Sequence, residues 1–279
     1  MSEVPVSPLQ RLLRRLNLEP LDTDLFLGTS GRGVGALFGG MVAAQAMLAA
    51  ARTVAERPLH SLHGYFLRPG KYGVPIRFAV TRIRDGRTFA TRNVVAYQSG
   101  EAIFSMSASF TRPEAGFSHQ DPMPDAPPPE RLVEWEDLRV ALLGPGTERR
   151  PDGPLEIRVC DPDSPDPTVR QAARRRVWLR LRGALPEDPL LHQALLVFAS
   201  DRTLLRTGAR PHGLTWRIRH GASLDHAMWF HQAARFDDWM LYVTESPAAH
   251  ASRALMHGAM YRHDGTRIVS VAQEGLLRA

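Results

Sequence analysis

Gly39-Gly40-Met41-Val42-Ala43-Ala44-Gln45-Ala46-Met47-Leu48-Ala49-Ala50-Ala51 is the stretch on which the fold turns. Alanine, methionine and leucine are good helix formers. Here they leave almost no polar face, so the helix they build must be covered on most sides, and its small side chains let a sheet close tightly around it. The residues that follow supply such a sheet. His60 to Arg68, Ile76 to Arg84, Thr88 to Gln98 and Ala102 to Arg112 are rich in Phe, Val, Ile, Tyr and Thr, with turns at Asp85-Gly86 and Ser99-Gly100. One helix inside a curled antiparallel meander is the economical packing.

The same plan recurs in the second half. A long apolar segment, Pro189 to Leu205, precedes Ser223-Leu224-Asp225-His226-Ala227-Met228-Trp229-Phe230, as Leu37 to Val54 precedes Ser61-Leu62-His63-Gly64-Tyr65-Phe66. The second helix is expected from about Glu187 to Leu205, entered through Pro186, with Glu187 and Asp188 at the positive end of its dipole. Strands are expected at Leu155 to Val159, Val177 to Arg182, Ser223 to His231, Trp239 to Glu245, Arg253 to Arg262 and Arg267 to Gln273, broken near Ser246-Pro247 and at Asp264-Gly265. Corresponding landmarks lie roughly 160 residues apart, the scale of one small domain each. Between the halves, Met123-Pro124-Asp125-Ala126-Pro127-Pro128-Pro129-Glu130 suits neither helix nor central strand, because proline lacks the amide donor. The expected organisation is α+β: an N-terminal domain at 1–118, a Pro-rich linker with a short helix (Leu132 to Leu142) at 119–150, and a C-terminal domain at 151–279.

Composition narrows the function classes. With 43% hydrophobic and 23% charged residues, the 279-residue chain is of ordinary globular type. Its net charge of +6 is almost all arginine, Lys71 being the only lysine. Arginine suits bidentate capture of phosphates or carboxylates. The basic residues are interleaved with acidic ones and form no nucleic-acid motif, so a small phosphorylated ligand is favoured over nucleic acid. The single cysteine, Cys160, cannot pair within the chain, which points to the cytoplasm. Ala36 to Ala51 falls short of the roughly 20 residues of a membrane span, so no membrane partner is expected. Leu9 to Leu16 reads as a short surface helix without a signal-peptide core, and Leu276-Leu277-Arg278-Ala279 carries no recognisable address.

Three polar residues stand in apolar surroundings. Asp201 follows Leu195-Leu196-Val197-Phe198-Ala199-Ser200, where it is either a desolvated acid needing partners or a solvent-facing residue at the helix end. Gln273 interrupts the apolar strand Ile268 to Ala272 and either orients a water, being donor and acceptor at once, or bonds to backbone. Ser223 opens its strand and is by itself more typical of a turn. His63, His226 and His231 flank the aromatic strands; their spacing is not that of a zinc helix, and packed strand histidines are the simpler reading. The Gly-x-Ser-x-Gly elbow, the dinucleotide fingerprint and the phosphate loop are all absent.

In Leu37-Phe38-Gly39-Gly40-Met41-Val42-Ala43-Ala44-Gln45-Ala46, His60-Ser61-Leu62-His63-Gly64-Tyr65-Phe66-Leu67-Arg68-Pro69-Gly70 and Ala108-Ser109-Phe110 the chain resembles the acyl-CoA thioesterase II family. Pro113-Glu114-Ala115-Gly116-Phe117, Ala199-Ser200-Asp201, Ser223 to His231 and Gln273-Glu274-Gly275 continue the resemblance in family order. It implies a double hotdog fold, two antiparallel sheets each wrapped around a long helix, and hydrolysis of acyl-CoA to free acid and coenzyme A. It also implies association into homo-oligomers, and neither cofactor nor metal. The family's water-holding trio falls on Asp201, Ser223 and Gln273, with Ser223 where some members have Thr. Backbone amides near the first helix start, around Gly39 and Gly40, are the expected oxyanion donors. The alternatives are an enoyl-CoA hydratase, whose Gly-Asp-x-Asn-Pro-type motif is missing, and a non-catalytic acyl-CoA binding protein of the same fold.

Overall fold

In a computed structural model, which describes residues 6–216, 218, 220–233 and 235–278, each half wraps strands around its own apolar helix. The chain begins with α1 (Pro8–Leu16), β1 (Glu19–Asp22) and β2 (Leu25–Gly28), then runs through α2 (Gly39–Ala51), β3 (Leu59–Phe66), β4 (Ile76–Asp85), β5 (Phe89–Gln98) and β6 (Glu101–Thr111). After α3 (Trp135–Leu143), the second half comprises β7 (Leu155–Val159), β8 (Arg174–Leu181), α4 (Pro189–Ser200), α5 (Leu204–Ala209), β9 (His220–Ser223), β10 (Asp225–Phe230), β11 (Met240–His250), β12 (Arg253–Arg262) and β13 (Arg267–Arg278). Every residue of α2 from Gly40 to Ala50 is buried, as its composition requires. Met1 to Pro5 and Ala279, the ends of the two expected domains, lie outside the described residues.

The two expected sheets are joined. β3 pairs antiparallel with β10, so both halves form one continuous 13-stranded antiparallel sheet that curls around α2 and α4. Leu62 opposite Met228 and Gly64 opposite His226 lie at this seam. Pairing the two edge strands satisfies backbone groups that would otherwise stay open.

Several boundaries differ from expectation, each for a local reason. α4 starts at Pro189 rather than near Pro186, because Asp188 caps it by accepting from the amides of Leu190 and Leu191. It ends at Ser200, and Leu204–Ala209 forms a separate helix instead of a continuation to Leu205. The phenol of Tyr242 donates to the Ser200 carbonyl at 2.9 Å, satisfying one of the acceptors exposed at the helix end. Ser246-Pro247 does not break a strand: β11 runs through it to His250 with a register shift between Glu245 and Ala248, as a bulge allows. The helix at 8–16 is no mere surface helix, since Leu9, Leu12 and Leu16 are buried and a Ser7–Gln10 capping box fixes its start.

The stretch at 119–150 is more than a tether. Trp178 Nε1 donates to the carbonyl of Pro127 at 2.8 Å, Arg158 to that of Pro129 at 2.8 Å and Gln120 to that of Gly265 at 2.8 Å. Met123, Ala126 and Leu132 pack on a small apolar cluster of Trp178, Trp239, Leu241, Ala259 and Tyr261. The segment covers the outer face of the second-half sheet.

Candidate active site

The end of α4 lies against the beginning of α2. A Cβ added at Gly40 would stand 2.6 Å from the carbonyl oxygen of Phe198, so only glycine permits this approach. Asp201, the residue that caps α4, thereby meets the first turn of α2, and the amide of Gly40 donates to its Oδ2 at 2.8 Å. A carboxylate at a helix N-terminus interacts favourably with the free amides and the dipole.

The three residues singled out in sequence come together here. Ser223 Oγ donates to Asp201 Oδ1 at 3.0 Å, and Gln273 Nε2 donates to Ser223 Oγ at 2.9 Å. Ser223 sits where β9 gives way to β10. At that break the amide of Leu224 donates to the Glu274 carbonyl, and the Leu224 carbonyl accepts from Phe66, so the serine is fixed from both sides. Gln273 is fully buried on the inner face of β13, which extends past it to Arg278 instead of stopping there. Of the open readings, then, Asp201 does stand at a helix end, yet it turns inward, and Gln273 bonds to side chains.

Behind Gln273 lie two residues whose contacts could not be read from the sequence. His226 is buried with its Nδ1 2.6 Å from Gln273 Oε1, and its Nε2 lies 2.7 Å from Ser200 Oγ. His226 is a packed strand histidine, as expected, but its partner comes from β13, and only strand pairing reveals that. His63 and His231 stay outside this cluster. His63 stands edge-on to Trp229, and His231 bonds to Ser270 at 2.7 Å.

Although part of residue 201 reaches solvent, its carboxylate is desolvated, and this burial pushes its pKa up from the ordinary carboxylate range. The nearby imidazole and hydrogen bonds from Ser223, Gly40 and Gln273 pull in the other direction without cancelling the effect. Burial pushes the His226 imidazole down, which favours its neutral form. The result is a carboxylate of raised basicity held by neutral donors. Gly39 and Gly40 part company. The amide of Gly40 is committed to Asp201 and is therefore not the expected oxyanion donor, whereas a Cβ at Gly39 would lie 2.8 Å from the Phe66 ring and 3.0 Å from Asp201 Oδ2. The space beside the carboxylate exists because residue 39 has no side chain. Among the described residues, no three His, Cys, Asp or Glu side chains gather as a metal group.

A family model described as acyl-CoA thioesterase matches residues 168–276, and one described as acyl-CoA thioesterase N-terminal domain matches residues 29–111. Acyl-coenzyme A thioesterase 8 of Mus musculus is 40% identical over 283 residues, covering 94% of this chain and 87% of that protein. Acyl-CoA thioesterase 2 of Haemophilus influenzae is 35% identical, with 97% and 98% covered. The chain belongs to the acyl-CoA thioesterase II family. A solved member, the acyl-CoA thioesterase II TesB2 from Mycobacterium marinum, superposes with a TM-score of 0.80 at 40% identity, covering 96% of this chain and 97% of that one. At that coverage the likeness spans both halves and the linker of this chain, whose fold is a double hotdog.

Proposed function

We propose that this acyl-CoA thioesterase hydrolyses fatty or related acyl-CoA with a water molecule held by Asp201, Ser223 and Gln273. Family membership supports the substrate class and the reaction. The observation that carries the site assignment is the hydrogen-bonded array Gly40–Asp201–Ser223–Gln273, assembled from α2, α4, β9 and β13.

A thioester carbonyl is electrophilic and coenzyme A leaves as a thiolate, so attack by an oriented water suffices. In this reading Asp201 takes the water's proton as the C–O bond forms, a transfer typically worth about 10²–10⁴-fold. Its raised pKa matches that task, because a carboxylate of higher basicity is a stronger proton acceptor in its ionised form. The Gly40 amide holds the base in place, Ser223 fixes one carboxylate oxygen, and the NH₂ group of Gln273, facing Ser223 and Asp201, orients the water beside them. Gly39, at the start of α2, is the remaining proposed oxyanion donor. Collapse of the tetrahedral intermediate breaks the C–S bond and expels the thiolate, the proton on Asp201 passes to that thiolate or to solvent, and the acid product leaves.

Replacing Asp201 with Asn tests the reading directly. Release of free coenzyme A from acyl-CoAs is expected to fall at least about 10²-fold; turnover near that of the unmodified chain refutes the assignment. A protein that binds acyl-CoA without releasing thiol at all refutes the enzymatic reading.

The same proposal includes self-association and a cytoplasmic setting. Tyr65 and Trp229 are exposed on the outer face of the two central strands, where a second copy can cover them. Light scattering that gives a monomer mass refutes this part. The thiol of Cys160 has its pKa pushed up to about 11 by burial, so it stays protonated and unreactive in a reducing compartment.

A further inference from the structure

The trio reading leaves Gln273 with a problem of orientation. A primary amide can turn over, exchanging its oxygen for its NH₂ group, and the two arrangements fill the same space. Only one of them presents N–H to the reacting water. The heavy-atom pattern behind Gln273 selects it.

Asp201, when ionised, can only accept, so the hydroxyl proton of Ser223 points at Oδ1. Ser223 Oγ must then accept from Gln273, which places Nε2 on that side and Oε1 on the other. Oε1 lies 2.6 Å from His226 Nδ1, so that nitrogen must carry the proton. A neutral imidazole with its proton on Nδ1 accepts at Nε2, where Ser200 Oγ stands 2.7 Å away with a proton to give. Every bond in the chain points the same way, from Ser200 through His226, Gln273 and Ser223 to Asp201.

We propose that His226 and Ser200 are positioning residues that lock the Gln273 amide with its NH₂ group toward the catalytic water. The proposal rests on the trio reading and extends it by two residues that do not touch the substrate. Turning the amide over would set NH₂ against the Nδ1 proton of His226, two donors face to face. Shifting the imidazole proton to Nε2 would relieve that clash only if Ser200 turned its hydroxyl to the Val197 carbonyl, and the flipped amide would still set its oxygen against Ser223 Oγ, whose proton is committed to Asp201. Ser200, His226 and Gln273 are all buried, so water cannot stand in for a missing partner. The Ser200 hydroxyl also lies 2.9 Å from the Val197 carbonyl, an alternative acceptor that it gives up while it serves His226. Burial, which lowers the imidazole's pKa, independently favours the neutral form that the relay needs.

The test compares two substitutions at residue 226 with and without Gln273, reading kcat and KM for coenzyme A release. His226→Leu removes the donor, and His226→Asn keeps an N–H near the place of Nδ1. We expect His226→Leu to lower kcat about tenfold, equivalent to ~1.4 kcal/mol, with KM unchanged, and His226→Asn to recover most of that loss. In a Gln273→Ala background, His226→Leu should cost less than about twofold more, because its partner is already gone. Losses that multiply in the double variant overturn the proposal. So does a folded His226→Asn protein as slow as His226→Leu. If His226→Leu fails to fold, Ser200→Ala takes its place: about threefold lower kcat alone, on the scale of one weakened hydrogen bond, and no further loss beside Gln273→Ala; multiplying losses again overturn it. Asp201→Asn, assayed in parallel, separates the two levels. Full activity of that variant sinks the trio itself, whereas an inactive Asp201→Asn with multiplying losses at 226 and 273 leaves the trio standing and removes the relay.

Discussion

α2 ends on Arg52 and α4 ends on Asp201, and in that exchange lies the difference between the two halves of the molecule. Arg52 reaches back to α1, donating to the Leu18 carbonyl at 2.5 Å and to Asn17 Oδ1 at 3.2 Å, and so ties down the amino-terminal helix. Asp201 reaches across to α2 and Ser223. The sheet repeats the contrast. When Ser61-Leu62 is aligned with Ser223-Leu224, Gly64 takes the place of His226, and opposite Gly64 on β6 stands Met106, a buried apolar counterpart of Gln273. The first half fills that volume with Met106 and with Phe104, whose ring a Cβ at Gly64 would meet at 2.5 Å. Two halves of like design thus carry an apolar plug on one side and a polar array on the other. A buried polar array is tolerable only when every member finds a partner; the second half supplies its side chains, and the Gly40 amide of the first half completes it.

The comparison is most exposed at the two helix ends. Asp201→Asn is expected to cut turnover by at least about 10², whereas Arg52→Ala at the matching position should leave turnover within about twofold while loosening α1. Coenzyme A release and thermal melting of both proteins check this, and an inactive but folded Arg52→Ala protein breaks the contrast. Copying the first half into the second, Gln273→Met should lower kcat about 10²-fold with little change in KM, as expected for a group that acts in the transition state. The reverse copy, Met106→Gln, places an amide where neither Gly64 nor Phe104 offers a polar side chain. It should cost ~1–3 kcal/mol of stability in urea denaturation without creating a second site. Next in size is Gly39→Ala. A methyl group 3.0 Å from Asp201 Oδ2 intrudes on the space beside the base and should slow turnover about tenfold.

The smallest effect is electrostatic. Because burial raises the Asp201 pKa in the folded state, its contribution to stability is fully present below the unfolded carboxylate value, about 4, and is lost as pH rises through the folded pKa. Asp201→Asn has no such proton to lose. Its melting temperature relative to the unmodified protein should therefore improve from about pH 4 toward neutrality, by a few degrees at most. The same ionisation sets an acid limb on kcat, which should rise with pH as the base becomes ionised. A flat kcat profile on the acid side, with Asp201 otherwise essential, would separate its catalytic role from its raised pKa.

Much of this was legible in the chain. α2 and the four strands after it fall within two residues of expectation, because an unbroken apolar helix and alternating β-branched or aromatic runs are local signals. Asp201, Ser223 and Gln273 drew attention as polar residues in apolar settings, and the family resemblance assigned them one task. Other features left no local trace. The end of α4 at Ser200 depends on the phenol of Tyr242, far along the chain, and the passage of β11 through Pro247 depends on a bulge against β12. The commitment of Gly40 to Asp201 rather than to an oxyanion requires two helix ends to meet.

Residue order alone determined a twofold plan of helix plus meander, an apolar core helix in each half and the identity of three unusual polar side chains, since periodicity and composition act over a few residues at a time. Tertiary structure alone decided that β3 and β10 join both halves into one sheet, and that His226 and Ser200 stand behind Gln273. Those outcomes hang on pairings between strands and helix ends distant in sequence, where backbone hydrogen bonds and close packing, rather than local propensity, fix which side chains share a volume.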